Sequence, residues 1–268
     1  MKILLTLVCI LAAAGVRAEP PQEAAEAKDW KFSSSVNYDT GKYGTPDRTN
    51  SLYIPFTLKR YYSEAGLSVT VPYLRQSSSG QVTWVGGKPV HVGMGKGAAV
   101  PSSATSSESG LGDIMLRGTY ALMRDEPGSF DLGLAGKLKL PTADENKGLG
   151  TGKADAGAGL EFAKEVSPGW TLLADGYYTV IGDPSGVDLN NQLSLDAGFY
   201  RTLSGNMGLT VLFETQNSIV DGNADPRSVG GTLSYSAQDG LEFSGGLTLG
   251  LSDGSPDVGL SAGFSRKF

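Results

Sequence analysis

The chain has 268 residues, of which 38 are glycine, 19% are charged and 40% are hydrophobic, and its formal net charge is −6. The hydrophobic share excludes wholesale disorder, and the glycines lack the three-residue period of collagen. The negative charge and the absence of a long basic run argue against a nucleic-acid partner, which requires clustered Lys and Arg.

Residues 1–18 have the pattern of a secretory signal peptide. Lys2 supplies the positive start, 3–16 is an apolar run, and 16–18 offer small residues for cleavage. The run is shorter than the about 20 residues that a membrane-spanning helix needs. The single cysteine, Cys9, lies within this run. We therefore expect an exported protein without a disulfide.

From Trp30 onward, apolar and polar residues alternate with a period of two, which predicts strands rather than helices. Most of these segments approach or exceed the about 9–11 residues that a tilted membrane strand needs. A soluble sandwich or propeller would have shorter strands. We predict twelve strands at 30–39, 50–60, 66–75, 111–123, 129–140, 154–163, 169–181, 189–201, 207–217, 227–236, 240–251 and 257–268.

The connections between these segments alternate strictly between short and long. The short ones are 61–65, 124–128, 164–168, 202–206 and 237–239, and the long ones are 40–49, 76–110, 141–153, 182–188, 218–226 and 252–256. This alternation is typical of outer-membrane barrels, which have short periplasmic turns and long external loops. The sequence therefore predicts an all-β fold: a twelve-stranded antiparallel transmembrane β-barrel at 30–268, preceded by a flexible periplasmic tail at 19–29.

The last predicted strand ends on an aromatic residue, Phe268, and Phe264 continues the same face. Barrels of the outer membrane characteristically end this way, and the barrel-assembly machinery reads the terminal aromatic residue. We therefore expect Phe264 and Phe268 to act as the barrel-closing and assembly signal. The expected location is the outer membrane, with its lipid and the assembly machinery as partners.

Three stretches resemble one family of outer-membrane barrels, named "transporter" or "putative meta-pathway of phenol degradation". They are Ser109-Gly-Leu-Gly-Asp-Ile114, Lys139-Leu-Pro-Thr-Ala143 with Gly148-Leu-Gly-Thr-Gly-Lys-Ala-Asp155, and Gly250-Leu-Ser-Asp-Gly-Ser-Pro-Asp-Val-Gly259. The resemblance implies an outer-membrane channel for small solutes, with aromatic or otherwise hydrophobic compounds as its cargo. It carries over no functional residues.

If the apolar set faces lipid, a set of charged residues faces the lumen, because charge on the lipid face is costly. These lumen-lining candidates are Asp113, Arg117, Asp131, Lys137, Lys139, Glu161, Asp175, Asp196, Glu214 and Glu242. Two interpretations stay open: a polar, mildly cation-favouring conduit, or opposite charges that pair across the lumen and plug it. Glycines on the same inward face leave space and favour the conduit.

The sequence offers little support for a catalytic site. The only histidine, His91, lies in the long loop without a marked serine partner, and one Cys with one His cannot form a Cys/His metal site. We expect no enzyme activity, no cofactor and no metal. Three aspartates, Asp113, Asp155 and Asp257, stand where strands meet long loops, as turn-formers or as cation ligands.

The predicted function is passive uptake of small solutes through an outer-membrane channel. The alternative is a non-conducting barrel that acts as scaffold, receptor or adhesin through its external loop 76–110. That loop could fold into the lumen as a constriction or lie outside as a cap, and the sequence does not distinguish the two.

Overall fold

The computed structural model describes residues 29–78, 82–86, 88–92, 106–124 and 130–268. The predicted signal peptide and nearly all of the predicted tail lie outside this part of the chain. No helix in the described residues is long and apolar enough to cross a membrane. The strands are β1 (Trp30–Gly41), β2 (Thr49–Tyr61), β3 (Ala65–Ser78), β4 (Val82–Val85), β5 (Lys88–His91), β6 (Ser106–Leu111), β7 (Ile114–Met123), β8 (Asp131–Leu140), β9 (Asp155–Ser167), β10 (Trp170–Val180), β11 (Gln192–Ser204), β12 (Met207–Gln216), β13 (Arg227–Ser236), β14 (Leu241–Gly250) and β15 (Val258–Lys267).

The large sheet closes on itself. Every neighbouring pair is antiparallel, and the sheet runs through β2, β1 and β15 down to β7 and β3, where β2 pairs with β3 and completes the circle. The first and last strands of the barrel wall, β1 and β15, are paired along their length. Their register runs from Lys31 opposite Lys267 to Thr40 opposite Val258. Because β6 and β7 follow one another along the same edge of β3, they form one wall strand. The predicted twelve-stranded barrel is confirmed.

One wall strand is longer than predicted and is broken. The sequence places it at 111–123, but pairing with β3 begins at Ser106 and is interrupted at Gly112 and Asp113. Pro72 lies opposite the break and cannot donate a ladder hydrogen bond. The Gly112 N–H donates to the Pro72 carbonyl oxygen at 2.8 Å, and a Cβ on Gly112 would come within 2.9 Å of the proline ring.

The two ends of the barrel differ as predicted. One end, called the short-turn end, carries the connections 62–64, 124–130, 168–169, 205–206 and 237–240. The other, called the long-loop end, carries 42–48, 79–105, 141–154, 181–191, 217–226 and 251–257. The long connection predicted at 76–110 is shorter, because 76–78 and 106–110 continue the wall strands, and the hairpin β4–β5 lies within it.

The outer face is apolar and the interior is polar, which reverses the pattern of a soluble protein. On the strands, alternate side chains point outward and inward. Leu247 is 47% exposed on the outside, whereas Thr210 inside is 5% exposed. An apolar outer band of this kind is expected to face lipid. The outward residues include Val36, Phe56, Leu116, Leu134, Leu160, Leu195, Phe213, Leu233 and Leu260.

Candidate functional site

One part of the interior is closed by a network of charged and aromatic side chains. Arg117 on β7 forms an ion pair with Glu161 on β9, and its Nη2 donates to the Tyr177 hydroxyl on β10 at 2.7 Å. Tyr177 in turn donates to the same Glu161 carboxylate. The Lys137 ammonium lies 5.2 Å from the centre of the Tyr177 ring. Opposite charges therefore do pair inside the lumen, over β7 to β10.

A second network lies toward the long-loop end. The Lys139 ammonium, 1% exposed, is 2.8 Å from Asp155 Oδ2 and 3.5 Å from Asp113 Oδ2, and it donates to Thr151 Oγ1 at 2.9 Å. Asp113 Oδ1 also accepts backbone N–H groups of loop 141–154 at 3.0 Å. Both aspartates are therefore buried partners of a lysine rather than solvated turn-formers. Asp257 pairs at 2.8 Å with Arg48 on the surface.

Strand register places four predicted acids side by side. Glu161, Asp175, Asp196 and Glu214 are successive cross-strand partners on β9, β10, β11 and β12. Adjacent like charges destabilise a sheet unless cations offset them. Arg117 offsets the first acid, and Lys88 of the hairpin lies 3.1 Å from the last.

The remaining two predicted acids lie at the short-turn end. Asp131 is the first residue of β8 and is 4% exposed, and Glu242 is the second residue of β14 and is partly buried. Asp131 and Lys139 therefore stand near opposite ends of the same strand. The ten predicted residues are thus distributed along the interior rather than gathered into one site.

The hairpin β4–β5 folds into the long-loop end of the barrel. Its Trp84, 3% exposed, stacks on Tyr53 of β2 with the ring centres 5.5 Å apart. Val85 packs against Ile181 and Ile219 of two external loops. This part of the long loop therefore fills lumen space, which answers the question of its placement for residues 82–86 and 88–92.

Polar contacts hold the tip and the return strand of the hairpin. The Lys88 ammonium lies 3.1 Å from Glu214 Oε2 on β12, and the side-chain amide of Asn223 donates to the His91 carbonyl oxygen at 2.7 Å. Burial lowers the pKa of Lys88, but the carboxylates of Glu214, Asp196 and Asp39 outweigh that effect and raise the pKa above its usual value. The lysine therefore stays charged inside the lumen.

The sequence interpretation missed this hairpin, although its signal was present. Val82 and Trp84 alternate with polar or small residues, and Gly86-Gly87 is a two-residue sequence typical of hairpin turns. Val85 pairs with Lys88 across that turn. The sequence interpretation did not assign Tyr53 and Tyr177 to the interior either, because it considered only charged residues and glycines as inward-facing.

Beside the hairpin, the other side of the lumen is open. A cavity of about 130 Å³, partly open to solvent, is bounded by β1 and β12 to β15 together with the hairpin. Its wall consists mainly of small or hydroxyl-bearing residues, and charged groups are few. The lining includes Asn37, Asp39, Tyr53, Lys88, Pro89, Thr210, Leu212, Glu214, Ser228, Gly230, Thr232, Gly246, Thr248, Gly259 and Ser261.

A second space lies at the long-loop end, next to this cavity. It is lined by residues of the hairpin and of the external loops, including Tyr43, His91, Asn217, Asn223 and Asp253. Both spaces share Gln216, Pro226 and Gly254 in their walls. The two spaces therefore adjoin each other beside the hairpin, one at the long-loop end and one in the lumen.

Inward glycines play two different roles. A Cβ on Gly159 would come within 2.5 Å of the Tyr177 ring, and one on Gly157 within 2.8 Å of Lys137 Cε. These two glycines make room for the charged network. Gly230, Gly246 and Gly259 instead line the open cavity. The described residues contain no cluster of three or more His, Cys, Asp or Glu that could hold a metal ion.

Known structures share this architecture. The crystal structure of the COG4313 outer membrane channel from Pseudomonas putida F1 is similar, with a TM-score of 0.69 and 14% identity, over 94% of this chain and 100% of that chain. The NanC porin gives a TM-score of 0.57 and 8% identity, over 88% of this chain and 100% of that one. At these identities the likeness establishes the fold. No curated protein matches the sequence.

The sequence also matches a known protein family. The match covers residues 56–268, from β2 to the closing strand, and includes the three glycine-rich stretches that suggested the resemblance. Because the match spans most of the chain, the protein belongs to the family described as "Putative MetA-pathway of phenol degradation".

Proposed function

We propose that the protein is a passive channel of the outer membrane for small, water-soluble molecules. The observation that carries this proposal is the pair of adjoining spaces beside the hairpin, one at the long-loop end and one along β12 to β15. The largest share of its wall is glycine, serine and threonine, which leave width and offer hydrogen bonds to a passing solute. The apolar outer surface and the family membership support the membrane location.

The charged networks define where the path runs. Arg117, Glu161 and Tyr177 close one side of the interior, and the hairpin occupies another. Solute then passes along the remaining wall, so the barrel is partly plugged and partly open. This arrangement combines the two interpretations of the lumen charges.

We further propose that the solutes of the channel include small aromatic molecules. Tyr53, Pro89 and Leu212 add apolar surface to a lining that is otherwise hydroxyl-rich. A small phenol-like molecule has one polar group and an apolar ring, and this mixed lining would accommodate both. The assignment of this cargo rests on the lining and on the family to which the chain belongs.

Planar-bilayer recording of the refolded protein tests conduction. We expect discrete steps of ion current, and liposomes that contain the protein should swell in a small polar solute such as glycerol faster than protein-free liposomes do, and faster than in a trisaccharide. No current together with no swelling would contradict the channel and favour the alternative, a sealed barrel that serves as scaffold, receptor or adhesin.

We also propose that the closing strand carries the signal for the barrel-assembly machinery. Phe268 exchanges backbone hydrogen bonds of 2.9 and 3.1 Å with Trp30, and Phe264 contacts Phe32 with ring centres 6.0 Å apart. Phe268→Ala should lower the amount of folded barrel in cells while refolding from urea in vitro proceeds normally. Equal loss in both assays would mean that the ring acts only in packing.

A further inference from the structure

The charges along the path are unbalanced. In the described part of the chain, the walls of the two adjoining spaces carry the carboxylates of Asp39, Glu214 and Asp253 and a single lysine, Lys88. His91 also lines the outer space, but burial lowers its pKa below the usual value, so it is neutral at neutral pH. The described walls of the proposed path therefore carry a net negative charge beside the hairpin.

Two carboxylates line the inner cavity, and Asp39 is the one that is not paired with Lys88. No hydrogen bond or ion pair with the described residues holds it. It faces the cavity from β1, opposite Gly259 of β15 in the register. A Cβ at position 259 would lie 2.3 Å from Asp39 Oδ1, so the glycine provides the room that the carboxylate occupies.

Lys88 reaches the same space from the hairpin and not from the barrel wall. Its side chain is 28% exposed and that of Glu214 is 19% exposed, so water reaches the ion pair. The lysine offsets one carboxylate and leaves the others uncompensated. Its charge also lies in the field of Asp39 and Asp196.

We propose that Asp39 and Lys88 are the residues that set charge selectivity, with Asp39 attracting small cations such as amines and Lys88 limiting that preference. The inference rests on the proposed channel function and names the class of solute that the path favours. Cations would be concentrated at the narrow part of the path, and anions would be repelled.

Reversal potentials in planar bilayers under a KCl gradient test this assignment. The wild type should favour K⁺ over Cl⁻. Asp39→Asn should lower the permeability ratio and Lys88→Met should raise it, each by about fivefold at low ionic strength, the effect of one unit charge about 4 Å away in water. Ethanolammonium chloride in place of KCl should show the same order among the variants.

Two controls separate charge from structure. Lys147→Met removes a positive charge from the exposed loop 141–154, away from the path, and should leave the ratio unchanged. The exchange Lys88→Glu with Glu214→Lys keeps the ion pair and the net charge, and should behave as the wild type. A wild-type channel that prefers anions, or a permeability ratio that Asp39→Asn does not change, would overturn the assignment of charge selectivity but not the channel function. Absence of any current would overturn the channel as well.

Discussion

At the scale of single residues, Lys139 shows how this barrel tolerates charge in its interior. The ammonium is almost fully buried, and it contacts two carboxylates that are themselves buried at 8% and 5% exposure. A buried ion pair costs desolvation free energy that only good geometry repays. Here both aspartates are also acceptors of loop N–H groups, so the cluster joins the strand ends to two external loops.

Lys139→Met is therefore expected to lower the free energy of unfolding by about 3–5 kcal/mol, because it leaves Asp113 and Asp155 buried without a cation. Urea titration of the protein refolded in lipid vesicles measures the change. Lys147→Met, at an exposed position, should stay within about 0.5 kcal/mol of the wild type. Adding Asp113→Asn and Asp155→Asn to Lys139→Met should restore part of the loss, and a lack of any restoration would contradict this role.

At the scale of elements, the wall strands and the hairpin were unequally predictable. Strand positions followed from the period-two pattern, which survives because one face of each strand meets lipid and the other the lumen. The hairpin β4–β5 has only four residues on each side and lies inside a loop, where a short alternation is easily overlooked. Its partners Tyr53, Glu214 and Ile219 are distant in sequence, so no local pattern indicates that it turns inward.

The charged residues were predictable as a set but not as pairs. The alternation of apolar and polar residues assigns Arg117, Glu161 and Lys139 to the inward face. Which residues they pair with depends on the strand register and on how far each side chain reaches across neighbouring strands. The cationic partner of Glu214 comes from the hairpin and not from another wall strand. Division of the lumen into a closed and an open side is therefore a property of the three-dimensional arrangement alone.

Replacing residues 82–91 by a short Gly-Ser linker should raise single-channel conductance, because the hairpin occupies space at the long-loop end. Recording in planar bilayers measures this change. Trp84→Phe keeps a ring against Tyr53 and should conduct nearly as the wild type. An unchanged or lower conductance after deletion would show that the hairpin does not narrow the path.

At the scale of the whole molecule, the reversed polarity of the barrel implies a defined lipid-facing band. Leu247, in the middle of β14, is 47% exposed and points outward, and Leu251 follows the end of the same strand at 56% exposure. The cost of a charge on such a surface depends on its depth in the bilayer. The free energy of unfolding that an arginine substitution removes, measured in vesicles, should therefore depend on the depth of the substituted residue in the bilayer.

Leu247→Arg is expected to lower that free energy by about 2–4 kcal/mol, the cost of an arginine near the midplane. Leu251→Arg should cost about 0–1 kcal/mol, because the rim lies close to the lipid headgroups. Urea titrations of both variants provide the comparison. Equal costs at the two positions would contradict the placement of the bilayer around the middle of the strands.

Solutes are proposed to move along the wall formed by β12 to β15. Two adjacent glycines of β13 test it: Gly230 lines the cavity, whereas Gly231 points to the outer face, where an added Cβ would meet no atom within 4 Å beyond its chain neighbours. Ion current through single channels is the measurement. Gly230→Trp should strongly reduce the current and Gly231→Trp should leave it at the wild-type value, whereas equal currents in both variants would contradict this path.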